Sequence, residues 1–102
     1  MILTTTNSIE GFRIVEYKGI VTGVSVNTRK ASFSFKMDKY YASVEATMND
    51  AKEDAFQKLT ENAKKLNANA VVGIKLDLET NPNLAMTMVS VTGTAVNVAT
   101  DK

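Results

Sequence analysis

Two long β-prone segments, Phe12 to Val26 and Leu84 to Val98, carry apolar residues on both alternating faces, and one amphipathic helical stretch is all the chain has to cover them. In the first segment Phe12, Ile14, Ile20, Val24 and Val26 share one parity, while Val15, Tyr17 and Val21 take the other. Its β-branched and aromatic content marks a strand, and Gly19 and Gly23 are places for a bulge or a close backbone approach. The simplest reading is a long strand buried on both faces for part of its length. In the second segment Leu84, Met86 and Met88 lie on one parity and Val89, Val91 and Ala95 on the other.

Between them the period changes. From Ser43 to Leu66, the residues Val44, Met48, Ala51, Ala55, Leu59 and Leu66 recur at helical spacing, widened by Phe56 and Ala63. Ser43 is placed to cap the N-terminus. Acids fill the first half, Lys64 and Lys65 the end, and Asp54/Lys58 and Glu61/Lys65 are oriented i,i+4 pairs. Asn67 follows where a left-handed residue is wanted. Ala70 to Leu78 alternates, with Ala70, Val72, Ile74, Leu76 and Leu78 facing one way and Val71, Gly73, Lys75, Asp77 and Glu79 the other. Thr80-Asn81-Pro82-Asn83 is a turn by composition, which makes the last two strands an antiparallel hairpin. Residues 2–6 form a short strand, Asn7-Ser8 a turn, and Ala99 to Lys102 a frayed tail. Ala31 to Asp38 alternates as a short strand or extended segment. The expectation is one α+β domain over residues 1–102, ββαββ in order, with an antiparallel sheet packed on one long helix.

Dimensions then argue for self-association. A helix of ~22 residues is ~33 Å long and ~10–12 Å across. Strands of fifteen residues run ~50 Å, and three or four of them make a sheet ~15–20 Å wide. One helix cannot cover that area, so either the strands bend back at Gly19, Gly23 or Gly93, or the uncovered face packs on neighbouring copies.

Several short motifs carry a family resemblance. Glu10-Gly11, then Ile14-Val15-Glu16-Tyr17 and Gly19-Ile20-Val21-Thr22-Gly23, resemble the opening of the YbjQ-like family, which bears a heavy-metal-binding label. Asn67-Ala68-Asn69-Ala70-Val71-Val72-Gly73-Ile74 is similar to its helix-to-strand junction, and Met88-Val89-Ser90-Val91-Thr92-Gly93-Thr94-Ala95-Val96 to its final strand. The resemblance covers residues 2–26 and 45–98 and implies a dodecin-like subunit in a ring of five copies. It implies little about activity. The chain departs from the family in having Lys18 where members often carry a cysteine, and Lys39-Tyr40-Tyr41-Ala42-Ser43 where they often carry Gly-Gly-Arg-Ser.

Composition excludes much chemistry. The chain has no cysteine and no histidine, so thiolate nucleophiles, disulfides, Cys or His zinc sites and imidazole catalysis are all absent. Soft heavy metals lose their preferred ligands for the same reason. A hard cation would be left with carboxylates, of which Asp77 and Glu79 share a strand face; at ~6.5–7 Å apart they need help from other chains, and ordinary exposed acids are the simpler account. A net charge of +1 gives no field that would draw nucleic acid or an anionic membrane. The 29–41 stretch does mix Phe33, Phe35, Tyr40 and Tyr41 with Arg29, Lys30, Lys36 and Lys39, the ingredients of a single-strand binding surface. Burial against the helix or a neighbouring subunit is the plainer role for those aromatics.

Lys18, beside Tyr17 and Glu16, is the one residue that suggests amine catalysis, against the ordinary role of a lysine on a strand's solvent face. No targeting segment or apolar stretch of spanning length occurs, which points to the cytoplasm and no membrane partner. The expectation is therefore a homo-oligomeric binding or scaffold protein with no cofactor. Any small ligand would sit at subunit contacts or in a central opening, with Tyr17, Lys18, Phe33, Phe35, Tyr40 and Tyr41 as ligand or interface candidates. An enzyme using lysine or carboxylate chemistry, and a weak nucleic-acid binder through 29–41, are the alternatives.

Overall fold

The helix starts earlier than the residue pattern alone indicates, the second and third strands run longer, and the first is cut to Ile2–Leu3. The structure, a computed structural model, describes residues 1–28, 37–81 and 86–101, with side chains except at 27–28 and 37–47. Its elements are β1 (Ile2–Leu3), β2 (Phe12–Thr28), α1 (Met37–Lys65), β3 (Ala70–Asn81) and β4 (Met86–Thr100). They form one four-stranded sheet in the order β1-β3-β4-β2 with the helix on one face. The α+β class and ββαββ order hold, but the sheet is mixed. β2 and β3 both pair antiparallel with β4, whereas β1 pairs parallel with β3. The reason lies in where the first two strands sit. β1 borders β3 and β2 borders β4, so the chain must cross the sheet between them, and Ile9 packs on the face away from the helix as it does so.

α1 begins at Met37, so Met37 and Asp38 are helical rather than extended, and Ser43 lies inside the helix instead of capping it. The C-terminus matches the sequence reading. Asn67 takes a left-handed φ of 60°; its N–H donates to the Lys64 carbonyl at 2.9 Å and the Ala68 N–H to Ala63 at 3.1 Å, the paired bonds of a Schellman ending. That ending puts Ala63 and Ala68 into the core and leaves Leu66 exposed, so Leu66 is not part of the buried stripe. Asn69 then splices helix to sheet. Its side-chain amide donates to the Val98 carbonyl at 3.0 Å, and its side-chain oxygen accepts from the Val98 N–H at 2.8 Å.

Small residues let the helix lie close on β2. Ala51, Ala55, Leu59 and Ala63 are fully buried, one turn apart, against Val21, Val89, Val91 and Ala95. Gly23 faces this stripe, and a Cβ there would stand 2.0 Å from the Ala55 carbonyl oxygen and 2.7 Å from the Leu59 nitrogen. Burial of the stripe, at ~25 cal/mol per Å² of apolar surface, is what ties the helix to the sheet.

Bulges decide which side chains face the helix. In β3 an extra residue between Val72 and Lys75, with Gly73 at φ 63°, reverses the alternation. Ala70 and Val72 therefore point away from the helix while Ile74, Leu76 and Leu78 point toward it, and the single apolar face expected from Ala70 to Leu78 is split in two. β2 has two such shifts, between Ile14 and Glu16 and between Tyr17 and Gly19. They return Tyr17 to the face shared by Ile14 and Ile20 instead of the opposite one. The tail is not frayed through Ala99 and Thr100, which pair with Arg13 and Phe12.

Candidate functional site

Residues directly opposite on neighbouring strands share a face, so the register maps the side of the sheet that the helix leaves bare. Along β2 this far face presents Tyr17, Ile20, Thr22, Val24 and Val26, opposite Val96, Thr94, Thr92, Ser90 and Met88 of β4. Along β3 it presents Lys75, Asp77 and Glu79, opposite Thr92, Ser90 and Met88. The face thus grades from an apolar strip at one border, through a column rich in hydroxyl side chains, to charge at the other. At the opposite end of the strands Ala70, Val72 and Val96 are covered by Ile2, Ile9, Ile14 and Val98. Nothing in the chain's described residues covers the strip: Tyr17 is 71% exposed, Ile20 78%, Val24 43% and Val26 51%. Within one copy β2 is therefore not buried on both faces over this stretch, because the crossing segment reaches only the Ala70 end.

The border of β2 itself is occupied. The Lys58 ammonium donates to the Val24 carbonyl at 3.0 Å, and the Asn62 amide to the Thr22 carbonyl at 2.8 Å. Alternate carbonyls of an edge strand point outward, and filling them removes a template for strand addition. Lys58 also pairs with Asp54 at 3.0 Å, as the i,i+4 spacing indicates. The hydrogen bond from Lys58, then one from Ser25, holds the Asp54 carboxyl below its usual value. Glu61 accepts from Gln57 at 3.5 Å rather than pairing with Lys65.

Where the hydroxyl-rich and charged columns meet, Asp77, Leu78, Glu79, Met88 and Ser90 line a shallow cavity of about 270 Å³. Asp77 and Glu79 lie two residues apart on one strand face with the Ser90 hydroxyl opposite, so the arrangement can hold a cationic or hydrogen-bonding group. It does not fit a soft heavy metal. Such an ion wants thiolate or imidazole, the chain has neither, and Met88 supplies only one thioether. Among the described residues no three acidic groups converge on a point.

The other sequence candidates divide. Tyr17 belongs to the bare strip. Lys18 sits at a β2 bulge and forms an ion pair with Glu16, a neighbour on its own strand. Phe33 and Phe35 lie outside the described residues; Tyr40 and Tyr41 fall within α1. Sequence reasoning passed over Ile20, Val24 and Val26 as core, and it named Asp77 and Glu79 without Ser90 and Met88, which only the β3–β4 register brings beside them. No helix among the described residues is long and apolar enough to cross a membrane.

Comparison with known proteins places this architecture. Residues 1–99 match the profile of the YbjQ family, described as "Putative heavy-metal-binding". A UPF0145 protein of Acetivibrio thermocellus is 38% identical over 103 aligned residues, spanning 94% of this chain and 97% of that one. A crystal structure of a protein of unknown function in the DUF74 family, from Pediococcus pentosaceus, superposes with a TM-score of 0.64. It covers 97% of this chain and 98% of its own length at 22% identity, a likeness of fold.

Proposed function

This chain belongs to the YbjQ family, and from the bare strip on its sheet we propose that it works as a self-assembling binding or scaffold protein, in a ring of five copies. The observation that carries the reading is the exposure of Tyr17, Ile20, Val24 and Val26 in one line on a strand whose other face is packed. Contiguous apolar surface of this kind is covered by a partner or leads to aggregation. The number five follows the ring-forming subunit that the family resemblance implies. A binding role is supported by the acidic cavity at Asp77, Glu79, Met88 and Ser90, which adjoins the surface left open to neighbours. Its donors suit a cationic or hydroxylated ligand held between subunits, in place of the soft metal suggested by the family's label.

Native mass spectrometry of the purified protein tests both halves together. A single assembled species at low micromolar concentration supports the reading, and a retained ligand lost on Asp77→Asn with Glu79→Gln places binding at the cavity. A compact monomer at that concentration removes the proposal.

A further inference from the structure

Two exposed apolar strips of this molecule cannot meet within one copy. The first is Tyr17, Ile20, Val24 and Val26, on the far face along β2. The second is Leu76 and Leu78 on β3, 40% and 38% exposed, on the helix-bearing face. They are bare because α1 lies across β2 and β4 and scarcely touches β3. The strips lie on opposite faces and toward opposite sides of the sheet, and the end of the first at Val24 and Val26 is level with the second. Val91 stands opposite both Gly23 and Leu76, and Val89 opposite both Ser25 and Leu78.

The surroundings limit what can cover the β2 strip. Two strands away, about 10 Å across the same face, Lys75, Asp77 and Glu79 are exposed. A broad surface laid on the far face, another far face included, would carry those charges into a dry contact, which is strongly opposed. Strand addition at the β2 border is opposed too. Asn62 and Lys58 fill the Thr22 and Val24 carbonyls, and the two bulges break the regular ladder nearer the start of the strand. The partner must offer a narrow apolar strip near the border of a sheet. A second copy of this chain offers one in Leu76 and Leu78.

We propose that copies join head to tail, the β2 strip of one receiving Leu76 and Leu78 of the next, so that successive sheets overlap at their borders like roof tiles. This rests on the self-assembly reading and specifies its joint. With the strips on opposite faces and sides, neighbouring copies keep the same orientation. With Val24 and Val26 level with Leu76 and Leu78, a step from copy to copy carries no shift along the strands. Such a joint leaves one strip unfilled at each end until the series closes into a ring.

The test mixes two variants, Ile20→Glu with Val24→Glu in one chain, and Leu76→Glu with Leu78→Glu in the other. All four positions are exposed, so helical circular dichroism should match the wild type. Each variant alone is expected to sediment as a monomer. Mixed in equal amounts they form a two-copy complex and stop, because the first keeps its leucines and the second keeps its β2 strip. A mixture that stays monomeric while the wild type assembles overturns the joint and leaves assembly standing, as does either variant assembling like the wild type. A monomeric wild type removes both.

The cysteine-free chain allows a check that does not disrupt the contact. Val24→Cys and Leu78→Cys protomers, treated with a short bifunctional maleimide, should give covalent pairs in the mixture and not separately. Pairs from Val24→Cys alone mean a two-fold joint, and the head-to-tail arrangement is then wrong.

Discussion

Gly23→Ala should loosen the whole molecule, although it adds one methyl group. The new Cβ would stand 2.0 Å from the Ala55 carbonyl oxygen and 2.7 Å from the Leu59 nitrogen. Both are backbone atoms of α1, so no side-chain rotation relieves the contact. Ordinary separation begins near 3.4 Å, and the helix must therefore retreat by about 1.4 Å. That movement pulls Lys58 and Asn62 away from the Val24 and Thr22 carbonyls and opens gaps around Ala55 and Leu59. Overpacking costs about 1–3 kcal/mol, and a clash against backbone belongs at the upper end. The reduced freedom of the unfolded chain offsets about 0.4–1 kcal/mol. A net loss of about 2 kcal/mol corresponds to a drop in Tm of roughly 8–16 °C for a domain of this size. Thermal and urea unfolding followed by circular dichroism, at matched protein concentration, measures it. Gly19→Ala is the control. Gly19 has a φ of 133° but nothing within 4 Å of an added Cβ, so it reports backbone strain without the clash. If Gly23→Ala leaves the unfolding midpoint at the wild-type value, close helix–strand contact is not what requires glycine at 23.

Two further outcomes follow from single groups. Asn67→Ala should cost about 1–2 kcal/mol, because the residue holds φ 60° at the end of α1, whereas Asn67→Gly should be neutral or slightly stabilising; urea midpoints separate the two. The Asp54 carboxyl is held low by Lys58 and Ser25, so its contribution is fully present above the ordinary carboxylate value and fades as pH falls through the lowered one. Urea unfolding of wild type and Asp54→Asn should differ at neutral pH and converge in strong acid, and a gap that widens on acidification contradicts the assignment.

Local signals in the sequence settled the elements. The 3.6-residue stripe fixed the helix through Ala51, Ala55, Leu59 and Ala63, and Asn67 marked its end, because helix period and left-handed backbone are imposed by neighbouring residues. Extended alternation likewise fixed the β3–β4 hairpin, and the excess of apolar positions on the long strands announced surface that one helix cannot cover. The absence of cysteine and histidine removed thiolate and imidazole ligands by composition alone.

Tertiary structure decided the faces. One extra residue at a bulge reverses every side chain beyond it, so Gly73 divided Ala70 and Val72 from Ile74, Leu76 and Leu78, and two bulges brought Tyr17 into line with Ile20. Alternation along a strand records only parity, and parity is lost wherever the ladder slips. The helix backbone that approaches Gly23, the parallel pairing of β1 and the grouping of Ser90 and Met88 with Asp77 and Glu79 arise from contacts between distant segments. No window of neighbouring residues contains them.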